Sequence, residues 1–107
     1  RATIGDVADH IEHIIRIAGA DHVGLGSDFD GIESTPIGLE SVETYPALLA
    51  ELARRGHSDD VLRKITGLNM LRVMRAVEAT AAKLQKETRP DDTRIEESGA
   101  PAPSPAK

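Results

Sequence analysis

One short segment limits the folds open to this chain more than any other. His22-Val23-Gly24-Leu25-Gly26 is a brief apolar run spaced by glycines and flanked by turn residues, and it reads as a buried strand. Glycines in a strand let neighbouring backbone approach closely. A strand cannot stand alone, because its N–H and C=O groups need partners. No second convincing strand occurs in the 107 residues. The order helix, strand, long loop, helix is one unit of an α/β fold, whose parallel strands lie far apart in sequence. The expected fold class is therefore α/β, mostly helical with one strand, as the C-terminal part of a larger domain. The strand's partners are expected upstream of Arg1 or in another chain. The alternative is a small helical domain in which residues 22–26 are an extended linker.

The helices around this segment are clearly marked. Thr3 and Asp6 form a capping-box-like start, and Ile4, Val7, Ile11, Ile14, Ile15 and Ala18 recur at helical spacing up to Gly19. A second helix is predicted from Tyr45 or Pro46 to Arg55, with Leu48, Leu49 and Leu52 as its apolar stripe and Gly56 as its end. Ser58 caps a third, in which Val61, Leu62 and Ile65 face inward. After the break at Gly67-Leu68-Asn69, a fourth carries Leu71, Val73, Met74, Val77, Ala81 and Leu84. The loop Ile32–Glu43 is about a dozen residues, a length that is usually functional or disordered. Residues 1–87 are thus expected to be an incomplete domain, and the Pro-, acid- and Ser-rich residues 88–107 a disordered tail. Without the strand's neighbours, the chain is expected to fold poorly or to aggregate through Leu48, Leu52, Val61, Ile65 and Val73.

Composition removes several functions. Eighteen acidic residues against thirteen basic, with one Phe, one Tyr and no Trp, argue against nucleic-acid binding, which needs clustered cations and stacking rings. No apolar run approaches the ~18 residues of a membrane span, so no transmembrane segment is expected in this chain. Absence of Cys excludes disulfides, thiolate metal sites and a Cys nucleophile. The first residue is Arg1 and no leader pattern follows, so either the start was processed or the chain is a piece of a longer one. The residues assign no compartment.

Asp28 and Asp30 lie just past the C-terminal end of the strand, the edge where α/β sheets and barrels build their sites. Two carboxylates there can do acid/base work or hold a cation, or they can simply make a turn. The segment fails a calcium-loop pattern, with Ile32 and Leu39 at ligand positions, and fails a dinucleotide fingerprint, with Phe29 at the third Gly position. His10 and His13 share a helix face but are flanked by Asp9 and Glu12, so a solvated polar face is the expectation. His22 reads as structural and His57 as exposed. Ser27 has no evident base nearby. Arg54, Arg55 and the Lys83–Lys86 region read as solvated helix charges.

The runs DHIEHIIRIAGADHVGLGSDFDGI, GLESVETYPALLAELARRG and NMLRVMRAVE, in that order and spacing, closely resemble the C-terminal part of the membrane (renal) dipeptidase family of zinc metallopeptidases. The resemblance covers about two-thirds of the chain, and DHVGLGSDFDG is its most specific stretch. It implies a (β/α)8-type metallo-dependent hydrolase barrel, with His22–Gly26 as the last strand. It implies hydrolysis of a dipeptide substrate by water activated on two zinc ions, with a homodimer as one arrangement open to the parent. The zinc ligands would lie upstream of Arg1, so this chain alone would hold no metal and be inactive. Of the family's functional residues, only the acid ending the last strand carries over. It matches Asp28, whose implied role is to handle the proton passed to the leaving amine. Asp30 and Gly31 match the same motif and are expected to shape the turn. One departure, Leu68 where a second glycine is common, touches a helix junction. A non-catalytic helical interaction module, or a degenerate remnant, is the alternative.

Overall fold

The first helix starts on a reciprocal cap. In the computed structural model, which describes residues 1–99, the Thr3 hydroxyl accepts the Asp6 N–H at 3.3 Å. The Asp6 carboxylate in turn accepts the Thr3 N–H at 2.8 Å. Helix α1 then runs Ile4–Ala18 and stops at Gly19, whose φ of 89° is the left-handed conformation that glycine adopts without penalty. A 3₁₀ turn, Ala20–His22, follows. Helix α2 is Tyr45–Arg54, with Pro46 in its first turn. Ser58 caps α3, Asp59–Arg63, by accepting the Val61 N–H at 3.3 Å. A π-type turn over Lys64–Leu68 carries the break expected at Gly67 and leads into α4, Asn69–Glu87.

The segment read as a strand is only partly extended. His22 belongs to the 3₁₀ turn, and extended backbone begins at Val23, with φ −128° and ψ 144°. Among the described residues no strand forms, and the one β-type pairing is an isolated parallel bridge between Thr3 and Ile37. The reason is the missing ladder. The backbone of Gly24–Ser27 makes no hydrogen bond within the described residues. The residues are therefore mostly helical, and the barrel strand stays an expectation.

The loop from Ile32 to Glu43 is docked rather than loose. The Ile37 N–H donates to the Ala2 carbonyl at 2.8 Å, and Arg1 Nε donates to the Thr35 carbonyl at 2.8 Å. Leu39 is buried in the core. Gly38 has φ 88°, and a Cβ there would lie 2.7 Å from Ile4 Cδ1, so only glycine lets the loop lie on α1.

The core is aliphatic, as the shortage of aromatics required. Ala8 and Ile11 of α1, Leu48 and Leu52 of α2, Ile65, Val23 and Leu39 form one cluster. Leu48, Leu52 and Ile65 are its largest fully buried side chains. Of the residues through which aggregation was expected, the chain itself covers these three. Val73, 48% exposed, does remain open, together with Met70, Leu71 and Met74. Residues 1–75 form one compact unit, and the described residues from Ala76 belong to another. In the second, Val77 and Leu84 are exposed. Residues 100–107 of the expected tail lie outside the described residues. No helix among the described residues is long and apolar enough to cross a membrane.

An ionic clamp ties α1 to the end of α2. Arg55, read from sequence as a solvated charge, keeps only 19% of its side chain exposed, against 71% for Arg54. Its Nη1 donates to Asp9 Oδ1 at 2.6 Å and Glu12 Oε2 at 2.9 Å, its Nε to Glu51 Oε1 at 2.9 Å, and its Nη2 to the Gly5 carbonyl at 3.2 Å. His57, expected to be exposed, is half-buried with Nε2 2.9 Å from Glu12 Oε1. Hydrogen bonds from Arg54 and then Arg55 hold the Glu51 carboxyl at about 2, down from the ordinary 4.5. His57, and then Arg55, hold Glu12 below the usual carboxylate range.

Two outcomes follow from this packing. Leu52→Ala should cost about 2–5 kcal/mol in urea unfolding, while exposed Val73→Ala should cost under about 0.5 kcal/mol. Equal losses would contradict the assigned core. Glu51 and Glu12 have depressed pKa values in the folded state, so their contribution is complete above pH 4.5 and drains away as the pH falls towards 2. The melting temperature followed by circular dichroism should fall across that window. Glu51→Gln should flatten the fall, and added salt should shrink it, because the groups are near water.

Candidate active site

The acidic turn sits where the extended segment ends. Asp28 takes φ 50°, the single non-glycine residue among those described with positive φ. Asp and Asn tolerate this region better than other side chains. The Gly31 N–H closes the turn on the Asp28 carbonyl at 2.8 Å. Phe29 stacks on Tyr45 at the start of α2, with ring centroids 5.9 Å apart and planes tilted by 45°. The chain's only two aromatic residues thus fix the turn to a helix. Asp28 and Asp30 are both exposed. The Asp28 carboxylate has no hydrogen-bond or ion-pair partner among the described residues.

Two concavities flank this region within residues 1–75. A cavity of about 260 Å³ is lined by Val7, Leu25, Ser27, Phe29, Leu39 and Tyr45, among others. Asp28 is absent from its lining although both its neighbours belong to it. A larger open groove of about 710 Å³ runs along Val23–Leu25 and is walled by Ile65, Met70 and Val73.

The extended segment is held at its start by Asn69, the one buried polar residue among those described. Its Nδ2 donates to the carbonyls of Ala20 at 2.7 Å and Val23 at 2.9 Å. Its Oδ1 accepts from Arg72 Nη1 at 3.0 Å, and Arg72 Nη2 reaches the Asp21 carbonyl at 2.6 Å. Lys64 Nζ lies 2.9 Å from Asp21 Oδ1 and holds that carboxyl below its usual range. Sequence reading treated this stretch only as a helix junction. The available signal was an amide at the head of an apolar helix, facing two carbonyls that a 3₁₀ turn leaves open.

No group of three His, Cys, Asp or Glu side chains able to hold a metal occurs among the described residues. His10 and His13 are exposed, as expected, and His13 Nδ1 lies 3.2 Å from Arg16 Nη2. His22 is exposed as well.

Comparison with known proteins decides the family. The Membrane dipeptidase peptidase-family model matches residues 1–88. The chain belongs to the membrane dipeptidase family. It is 50% identical over 91 residues to an uncharacterized dipeptidase of Schizosaccharomyces pombe, covering 84% of this chain and 22% of that protein. It is 52% identical over 81 residues to Dipeptidase ataJ of Aspergillus terreus, covering 76% and 20%. Against Dipeptidase verJ of Clonostachys rogersoniana it is 49% identical over 86 residues, covering 80% and 22%. The chain thus spans about a fifth of the length of these relatives.

The Asn69 contacts give a direct test of what holds the segment. Asn69→Ala leaves the Ala20 and Val23 carbonyls without their donor and should cost about 1–3 kcal/mol in urea unfolding. Asn69→Asp sets a carboxylate against two carbonyl oxygens and should be at least as destabilising. Wild-type stability in both variants would show that the helix packing alone holds Val23.

Proposed function

We propose that this chain supplies Asp28 to the active site of a dipeptidase, as the general acid/base that carries a proton from the attacking water to the leaving amine. Membership of the dipeptidase family supports the reaction class. The observation that carries the assignment is the position of Asp28, on a left-handed turn at the C-terminal end of an extended segment whose backbone is unpaired. In a (β/α)8 barrel, sites stand at that end of the strands. The unpaired groups of Gly24–Ser27 are what a barrel strand without its neighbours would present. On this reading the neighbours come from residues upstream of Arg1, and the chain alone is inactive.

In hydrolysis, water oxygen bonds to the peptide carbonyl carbon, the C–N bond breaks, and the departing nitrogen needs a proton. A carboxylate placed beside both can accept the water proton and return it to nitrogen. The two zinc ions implied by the resemblance have no ligand set among the described residues, so their ligands would be upstream residues and no step here runs through them. A dipeptide is the proposed substrate, and a homodimer of the full-length protein is compatible with this reading.

Asp28→Asn in the full-length enzyme tests the role. Asn tolerates φ 50° and keeps the shape of the turn while removing the ionisable oxygen. The rate constant kcat should fall by roughly 100-fold or more. Metal content should hold, since a shuttle is not a ligand. Asp30→Asn, on the same turn, should change kcat far less. Near-normal kcat in Asp28→Asn, with full metal content, would sink the assignment.

A further inference from the structure

Gly31 occurs in the same acidic motif, and its backbone does not explain why it is glycine. It is not among the glycines held at positive φ, so its conformation is open to other residues. The space above it is the constraint. A Cβ built on Gly31 would lie 2.5 Å from Asp28 Oδ1, 2.7 Å from Oδ2 and 2.8 Å from Cγ. The Asp28 carboxylate therefore rests over the Gly31 α-carbon, in room that only a hydrogen leaves free.

Nothing else fixes that carboxylate. Among the described residues it has neither a hydrogen-bond nor an ion-pair partner. Its place is set by two features: the left-handed backbone of Asp28 itself, and the turn bond that brings the Gly31 N–H to the Asp28 carbonyl at 2.8 Å. The turn folds residue 31 back under residue 28, and the missing side chain leaves the carboxylate its seat. A larger residue at 31 would push the carboxylate aside, and because that carboxylate is exposed and unpartnered among the described residues it would swing to a new place rather than strain the turn.

We infer that Gly31 is a positioning residue, whose lack of a side chain sets where the Asp28 carboxylate stands when it meets the substrate. The inference rests on the role of Asp28 proposed above. A displacement of about 1 Å at a reacting group can cost on the order of 100-fold in rate. Gly31→Ala should therefore slow the chemical step and leave substrate binding largely alone.

The test is a pair of mutant cycles in the full-length enzyme with its metal bound, using one dipeptide substrate. Gly31→Ala should lower kcat by about 10- to 100-fold with little change in KM or metal content. In the Asp28→Asn background the same change should cause no further loss of kcat, because the group it displaces no longer transfers a proton. The second cycle reads melting temperature. Gly31→Ala should leave it close to wild type both beside Asp28 and in an Asp28→Gly background, because an exposed carboxylate can swing aside without straining the turn. Failure of Gly31→Ala to fold would overturn the inference. If Asp28→Asn proves harmless to kcat, the role of Asp28 has failed and the positioning role with it. If Asp28→Asn is slow while Gly31→Ala keeps wild-type kcat, the positioning role alone has failed. Equal losses of kcat from Gly31→Ala in both backgrounds would mark an ordinary structural glycine and overturn the inference as well.

Discussion

The arrangement depends on one buried amide. Asn69 stands at the head of α4 and holds the carbonyls of Ala20 and Val23 in a single grip. That grip fixes where the 3₁₀ turn ends and where extended backbone begins. Buried carbonyls without donors are costly, so a side chain with two N–H groups at this point decides the path of the chain. Val23 and Ile65 can then enter the same core as Leu48 and Leu52. The segment leaves that core towards Asp28 with its direction already set. Arg72 reinforces the grip from the next helical turn, by bonding both Asn69 and the Asp21 carbonyl.

A second constraint acts on α1. Arg55 gathers Asp9, Glu12 and Glu51 and adds the Gly5 carbonyl, so one guanidinium spans two helices with its planar fork of donors. The carboxylates around it are ionised by design of the contacts: two arginines act on Glu51, and His57 and Arg55 act on Glu12. These charges fix helix against helix at the rim of a small aliphatic core. The loop from Ile32 to Glu43 closes the same core from a third direction through Leu39, with Gly38 allowing the close approach to Ile4.

Local signals were legible in the sequence where the physics is local. The Thr3–Asp6 cap, the Gly19 stop, the Ser58 cap and the break near Gly67 all stand close to where the residues place them. Asp28 was legible as a candidate because a carboxylate following a strand-like run is a recognisable pattern, and the family resemblance sharpened it. What escaped is long-range. Arg55 and His57 find partners more than forty residues away, so a reading along the chain left them in solvent. The docked loop escaped because its anchors, Ala2 and Arg1, lie over thirty residues before it. The strand was over-read for a related reason. A ladder is a property of two segments, and sequence pattern describes only one of them.

The contrast between carboxylates ties these points to function. Glu51, Glu12 and Asp21 are each engaged by a neighbouring cation, which holds them charged and occupies their oxygens. Such groups suit structure, because their lone pairs are committed to the fold. Asp28 is engaged by no cation among the described residues and is exposed on its turn. Its turn is held by backbone geometry: a left-handed residue, a closing turn bond and an aromatic contact one residue on, beside the bare α-carbon of Gly31. Backbone restraint of this kind fixes the turn and leaves the carboxylate oxygens open. The proton-transfer role proposed for Asp28 would use that combination, since such a group must offer its lone pairs to water and to substrate.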